Sequence, residues 1–205
     1  MSLSKRGLLF VLSAPSGAGK DSLLRLVLRD CPDLHRCVTV TTRPRRNTEV
    51  DGVDYHFVTP EQFHSLRERG DLLEWAEVFG NLYGTPRRPV EENLAAGRDV
   101  ILKIDVQGGR TVKRLYPDAV LIFVVPPSTQ EQEKRLRQRD SEGETELKRR
   151  LAAASIEMAH IPLYDYLVVN DDLEKAADEL RCIITAERCR VRLDQNCSVP
   201  VGGSP

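Results

Sequence analysis

The sequence lacks most of the features that mark a membrane, secreted or metal-stapled chain. No apolar run exceeds the seven residues from Ala119 to Val125, far below the roughly 18 that suggest a membrane span. No span is expected. After Lys5 and Arg6 the apolar stretch Leu8 to Leu12 is too short and too strand-like for a signal peptide, so a cytoplasmic location is expected. The five cysteines (Cys31, Cys37, Cys182, Cys189, Cys197) are odd in number and include no Cys-x-x-Cys pair, which argues against a disulfide framework or zinc site. They read as free thiols. The four histidines (His35, His56, His64, His160) have no metal-ligand spacing. An excess of one charge is missing too: 30 Lys plus Arg stand against 31 Asp plus Glu, for a net charge of −1. Affinity for an anion must therefore come from local clustering of base, and neither a nucleic-acid nor a membrane partner is expected. The sequence holds no internal repeat or low-complexity segment.

What is present is an ordinary globular composition, 205 residues with 40% hydrophobic and 30% charged. A chain of that length buries roughly 70% of its unfolded surface and needs no staple. Gly7 to Ser13 is a short apolar run, and Asp21 to Arg29 shows helical spacing through Leu23, Leu24, Val27 and Leu28. Val100 to Ile104, Val120 to Val125 and Tyr166 to Val169 are further compact runs, each followed by helix signals, as buried parallel strands are. Ser128 with Glu131, and Asp171 with Glu174, have the spacing of a reciprocal helix cap. The alternation predicts an α/β fold with a sheet flanked by helices.

Two stretches interrupt it. Residues 38–86 are more polar and read as an inserted α+β subdomain with short strands at Val38 to Thr42, Tyr55 to Val58 and Leu73 to Val78. One helix begins among them at Thr59-Pro60. Residues 129–150 hold many arginines around the breaker Ser141-Glu142-Gly143 and read as a mobile helical lid. The core is then 1–37, 87–128 and 151–190, and 191–205 reads as a disordered tail.

Ser13-Ala14-Pro15-Ser16-Gly17-Ala18-Gly19-Lys20 follows the first strand and opens the first helix, the setting of a nucleotide phosphate cradle. Small residues let successive backbone N–H groups turn onto phosphate oxygens, the helix N-terminus adds partial positive charge, and Lys20 can bridge the outer phosphates. Two positions depart from the usual G-x-x-x-x-G-K-[ST] pattern. Ala14 replaces the first glycine, which is mild if φ is negative there. Asp21 stands where a hydroxyl normally ligates Mg²⁺, with Ser22 next. Either the Asp21 carboxylate substitutes, directly or through water, or the ion relies on phosphates and water; the first is preferred.

The acceptor must be read from the insert. Thr41-Thr42-Arg43-Pro44-Arg45-Arg46 is followed by Glu49, Asp51-Gly52-Val53-Asp54-Tyr55, Leu73-Glu74-Trp75-Ala76, Asn81-Leu82-Tyr83-Gly84-Thr85 and Ile104-Asp105-Val106-Gln107-Gly108. Together these resemble guanylate kinase from about Leu8 to Glu187. The resemblance implies a P-loop NTPase three-layer fold with a parallel central sheet, a GMP-binding insert and a helical lid. It also implies ATP-dependent phosphorylation of GMP and dGMP with Mg²⁺. Guanine offers two adjacent donors, N1–H and N2–H₂, that a carboxylate can accept together, whereas adenine lacks that pair. By resemblance Glu74 and Asp105 take those donors, the hydroxyls of Thr39 and Thr85 approach O6 and N7, and Arg43, Arg46, Tyr55 and Tyr83 hold the GMP phosphate. The loop from Ala14 to Ser22, with Asn170 beside the adenine, binds ATP. By the same resemblance Arg135, Arg139 and Arg150 reach the phosphates as the lid closes and, with Lys20 and Arg43, are the expected catalytic set. Arg45, Arg137, Arg149 and the Glu131/Arg135 spacing read as solvated charge.

Lys103 stands where the resemblance leads one to expect an acidic residue, which leaves the ligands of the ion open. The charge could be redistributed to Asp21. Two other functions fit parts of the pattern: a ribose-phosphate kinase of the same architecture, since Lys20-Asp21-Ser22 suits that too, and a non-catalytic module that binds phosphorylated peptides. The first would not need Glu74 with Thr85, and the intact loop and lid argue against the second. A homo-oligomer is compatible with the sequence, which does not set its state.

Overall fold

Strands made wholly of apolar residues have to be covered on both faces. In the computed structural model β1 (Leu9–Ser13), β7 (Asp99–Lys103) and β8 (Val120–Val125) are buried at every position. The structure describes residues 6–139 and 144–191. The Ser141-Glu142-Gly143 break and the tail beyond 191 lie outside the described residues. With β2 (Leu34–Arg36) and β9 (Tyr166–Val169) at the edges, these strands form a parallel sheet of order β2-β7-β1-β8-β9. Helices α1 (Lys20–Asp30) and α7 (Leu173–Cys189) bring Leu23, Leu24, Val27, Ala177, Leu180 and Ile184 into one cluster with Phe10, Leu12 and Ile122. The opposite face carries α3 (Arg87–Ala95) and α4 (Val106–Leu115), whose Val90, Leu94 and Val112 join Val11, Val100 and Leu121. The result is the three-layer α/β arrangement expected, and it leaves the end of β1 open at the loop before Lys20.

A second sheet is built from β3 (Val40–Thr41), β4 (His56–Phe57), β5 (Leu72–Val78) and β6 (Asn81–Pro86), in the order β4-β3-β6-β5. The hairpin joining β5 to β6 turns on Phe79 and Gly80, both at positive φ (51° and 78°). A two-residue loop of that hand matches the strand twist. Helix α2 (Pro60–Glu68) buries Phe63 against Val40 and Leu72. It starts at a reciprocal cap: Gln62 N–H donates to the Thr59 hydroxyl at 3.3 Å and Thr59 N–H to the Gln62 side chain at 2.9 Å.

Helices α5 (Thr129–Arg139) and α6 (Glu144–Met158) make up the arginine-rich region. Helix α6 runs past Arg150 because 151–158 is rich in alanine, a strong helix former. The expected caps are corrected in two places. Ser128 accepts from Glu131 N–H at 3.1 Å, but the Glu131 carboxylate turns to Arg135 instead of closing the box. The α7 cap is Asp172, one residue later than Asp171, accepting from Lys175 N–H at 3.0 Å. Strands β2 and β6 were not evident from periodicity: β2 is three residues with His35 and Arg36, and β6 contains Gly84 and Pro86, which depress strand propensity. Cys31, Cys37, Cys182 and Cys189 are free, and Cys197 lies outside the described residues. No helix among the described residues is long and apolar enough to cross a membrane.

Candidate active site

The loop from Ala14 to Gly19 joins the buried end of β1 to the first turn of α1. Gly19 is the residue before the helix and has φ 84°. A Cβ there would also lie 2.4 Å from Asn170 Nδ2, so two independent constraints require glycine. Ala14 is not among the positive-φ residues, which explains why the first glycine of the usual pattern is dispensable. Two side chains from distant elements hold the loop: Asn170 Nδ2 donates to Ala18 O at 2.7 Å, and Gln132 Nε2 on α5 donates to Ser16 O at 2.7 Å. One Asn170 amide N–H is therefore spent on the loop.

Lys20 Nζ donates to Ile104 O at 3.3 Å. Burial, and then Lys103, lower its pKa, while Asp21, Glu157 and Asp105 push the other way. The Glu157 carboxylate, near the end of α6, accepts from Ser16 N–H; burial raises its pKa against the pull of Lys20. Gln132 and Glu157 were missed by sequence reasoning, because each is an ordinary polar residue of a charged helix with no spacing to mark it.

The residues expected to meet the acceptor come together through strand register. Glu74 pairs with Thr85, and Ala76 with Tyr83, so period-two alternation puts Tyr83 and Thr85 on the same face as Glu74. Continuing the register Val40↔Gly84 sets Thr39, 4% exposed, opposite Thr85. The Thr85 hydroxyl donates to Glu74 Oε1 at 2.5 Å, both residues being buried. Gly108 at the start of α4 is a further unforeseen requirement, since a Cβ there would lie 2.4 Å from Glu74 Oε2. Burial pushes the Glu74 carboxyl up to about 7, with Thr85 opposing and Asp105 adding to the rise. Asp105 caps α4, accepting from Gly108 N–H at 2.8 Å on Oδ1 and from Gln107 Nε2 at 3.3 Å on Oδ2. Its carboxylate is thus partly committed to the fold.

Arg43, Arg46, Tyr55 and Tyr83 line one cavity of about 610 Å³, together with Asp21, Arg25, Phe79, Lys103, Arg149 and Arg150. Thr39, Glu74, Thr85 and Asp105 are not on its wall. The Arg43 guanidinium pairs with Glu49 at 2.6 Å and lies 5.5 Å from the Tyr55 ring centre. Tyr55 meets Tyr83 edge to face at 6.0 Å. Burial would raise the Glu49 pKa, but Arg43 and the Arg46 N–H hold it below the usual carboxylate range. Arg45 is exposed, as expected, and donates to Glu49 O at 2.9 Å.

The lid arginines divide. Arg150 lines the cavity, and so does Arg149, which is exposed, as expected of a solvated charge, with its guanidinium 5.1 Å from the Phe79 ring centre. Arg135 lies instead by the phosphate loop, donating to Asn170 O at 3.0 Å and pairing with Glu131 at 3.1 Å. Arg139 ends α5, and its side chain lies outside the described residues. Arg137 pairs with Glu133 and Glu144 and so links α5 to α6. Asp21 has Oδ1 2.5 Å from Lys103 Nζ, so half of the expected metal-binding carboxylate faces an ammonium. Among the described residues no group of three or more His, Cys, Asp or Glu is arranged to hold a metal.

The guanylate kinase family model matches residues 6–187. The guanylate kinase of Myxococcus xanthus is 51% identical over 185 residues, covering 90% of this chain and 88% of that protein. That of Syntrophotalea carbinolica is 49% identical over 188 residues, covering 92% and 90%. A crystal structure of guanylate kinase from Anaplasma phagocytophilum aligns with a TM-score of 0.77 and 37% identity, over 92% of this chain and 90% of the other.

Proposed function

This chain belongs to the guanylate kinase family, an enzyme family that phosphorylates GMP with ATP, and we propose that it performs the transfer in line, with Mg²⁺, on GMP and dGMP alike. In this reading 38–86 binds the acceptor, 129–150 closes as a lid, and the loop from Ala14 to Ser22 with Asn170 binds ATP. The observation that carries it is the buried Glu74–Thr85 pair set on one sheet face with Tyr83, which lines the arginine cavity. One end reads the base and the other holds the phosphate. The groups assigned to the acceptor touch base and phosphate and none is assigned to the ribose, which is why dGMP is included.

The acceptor phosphate, with a second pKa near 6, is already a competent nucleophile at pH 7. No general base is needed. Catalysis then rests on alignment and on neutralising the travelling phosphoryl group. Lys20 and the backbone N–H groups of the loop supply the donor side, Arg43 and Arg150 the acceptor side. Arg135 and Arg139 would complete the set as the lid closes and excludes water. Mg²⁺ would supply charge neutralisation on the ATP phosphates. The donor set fits that ion in the manner of nucleotide sites, where one carboxylate contributes and phosphates and water do the rest; here that carboxylate would be Asp21.

The deciding measurement is ADP formation from ATP with GMP, dGMP, AMP, UMP and ribose phosphates as acceptors. Turnover confined to GMP and dGMP is expected. Turnover of a ribose phosphate alone, or tight phosphopeptide binding without turnover, would replace the reading.

A further inference from the structure

Lys103 is a charged residue that neither the phosphate loop nor the base-reading pair accounts for. It ends β7, a strand buried along its whole length, and only 7% of its side chain is exposed. Asp21 and Tyr55 are the groups that face its ammonium. A buried ammonium is costly for folding even when paired. An apolar side chain, as at Val100, Ile101 and Leu102, would suit a purely structural position better. The head group is instead aimed where the two nucleotide sites meet. Nζ lies 2.5 Å from Asp21, the neighbour of Lys20, and 4.6 Å from the centre of the Tyr55 ring, on which the Arg43 guanidinium also packs at 5.5 Å.

We propose that Lys103 is a catalytic residue that binds the acceptor phosphate, with Asp21 as its positioning partner, so that one fixed ammonium stands between the donor loop and the acceptor cavity. The proposal rests on the reading of that cavity as the phosphate pocket for GMP. An ammonium has three N–H donors. Asp21 takes one and Tyr55 a second, which leaves one for a phosphate oxygen, and the side chain lies on the wall of the cavity shared with Arg43 and Arg150. Lys103 and Lys20 are like charges that repel each other, held on Asp21 and on Ile104 O respectively. An anion arriving between two such cations relieves that repulsion, which makes the junction more attractive to a phosphoryl group than either lysine alone.

The test compares calorimetric binding of GMP and guanosine, without ATP or metal, to the wild-type chain, Lys103→Met and Lys103→Arg. Lys103→Met should weaken GMP about 10- to 100-fold, the range of a charge-assisted hydrogen bond. Guanosine binding should hold, and Lys103→Arg should recover part of the loss. Equal weakening of both ligands would make Lys103 structural, and unchanged GMP binding would leave it a mere counter-ion of Asp21; either result overturns the proposal. A wild-type chain that binds neither ligand would instead overturn the reading of the pocket. Because Lys103→Met strands Asp21, a second measurement uses the unaltered protein with ¹³Cε-labelled lysine. The Lys103 resonance, assigned from Lys103→Arg, should move with GMP and stay with guanosine. A resonance indifferent to GMP sinks the proposal however the variants fold.

Discussion

The phosphate loop and the β5/β6 sheet face handle opposite problems with opposite means. The loop offers backbone N–H groups and one lysine, and its shape is held by remote amides, Asn170 on Ala18 and Gln132 on Ser16. Its recognition is generic to phosphate. The sheet face offers side chains, and at its centre lies a buried carboxylate whose cost is visible as a pKa pushed up to about 7. On the proposed reading, binding at the loop is cheap and unselective, whereas binding at the sheet is costly without ligand and selective with it.

If that division holds, variants on the two sides should fail differently. The largest effect is expected at the loop. Lys20→Met removes the cation assigned to the outer phosphates and should lower kcat by about 10²- to 10³-fold, as loss of one preorganised charge stabiliser does, with guanosine affinity intact. Steady-state kinetics and calorimetry together check this; a parallel loss of guanosine binding would mean the two regions are one unit. A smaller and more selective effect is expected at the sheet. Glu74→Gln turns one acceptor oxygen into a donor facing guanine donors, and should raise KM for GMP about 10- to 100-fold. KM for ATP should change little. Equal changes in both would remove Glu74 from base reading.

The same contrast explains what could be read from the sequence. The loop was legible because its geometry is local: strand, small residues and helix follow within a dozen positions, and Gly19 stands where φ is 84°. The sheet face was legible only through resemblance, since Glu74 and Thr85 become partners through a cross-strand register that no periodicity announces. Glycine 108, set by the approach of Glu74, and Arg149, carried into the cavity by α6, depend on how separate elements dock. Gln132 and Glu157 fall in the same class. The Lys103–Asp21 pair lay between: each departure was visible in the sequence, and only the fold brings the two 2.5 Å apart.

The smallest effect expected on binding, and the one that tests the electrostatics most directly, comes from a pH dependence with opposite signs for binding and folding. Glu74 moves from an ordinary 4.5 to about 7 because burial penalises its charged form. Below pH 4.5 folded and unfolded chains both carry the protonated carboxyl. Between 4.5 and 7 the unfolded chain releases the proton and the folded chain keeps it, so stability falls across that window, by about 3 kcal/mol in order of magnitude. Above 7 the loss is complete. Guanosine, which has no titrating phosphate, needs the ionised carboxylate for its two donors, so its affinity should rise as pH increases toward 7 and weaken about tenfold at one unit below. Chemical denaturation and guanosine calorimetry between pH 5 and 8.5 measure both trends. Glu74→Gln should flatten the part each owes to this carboxyl, because an amide cannot ionise. If guanosine affinity in the wild-type chain is flat through pH 7, Glu74 is already ionised in the empty site, and the contrast between a costly reader and an inexpensive loop loses its physical basis.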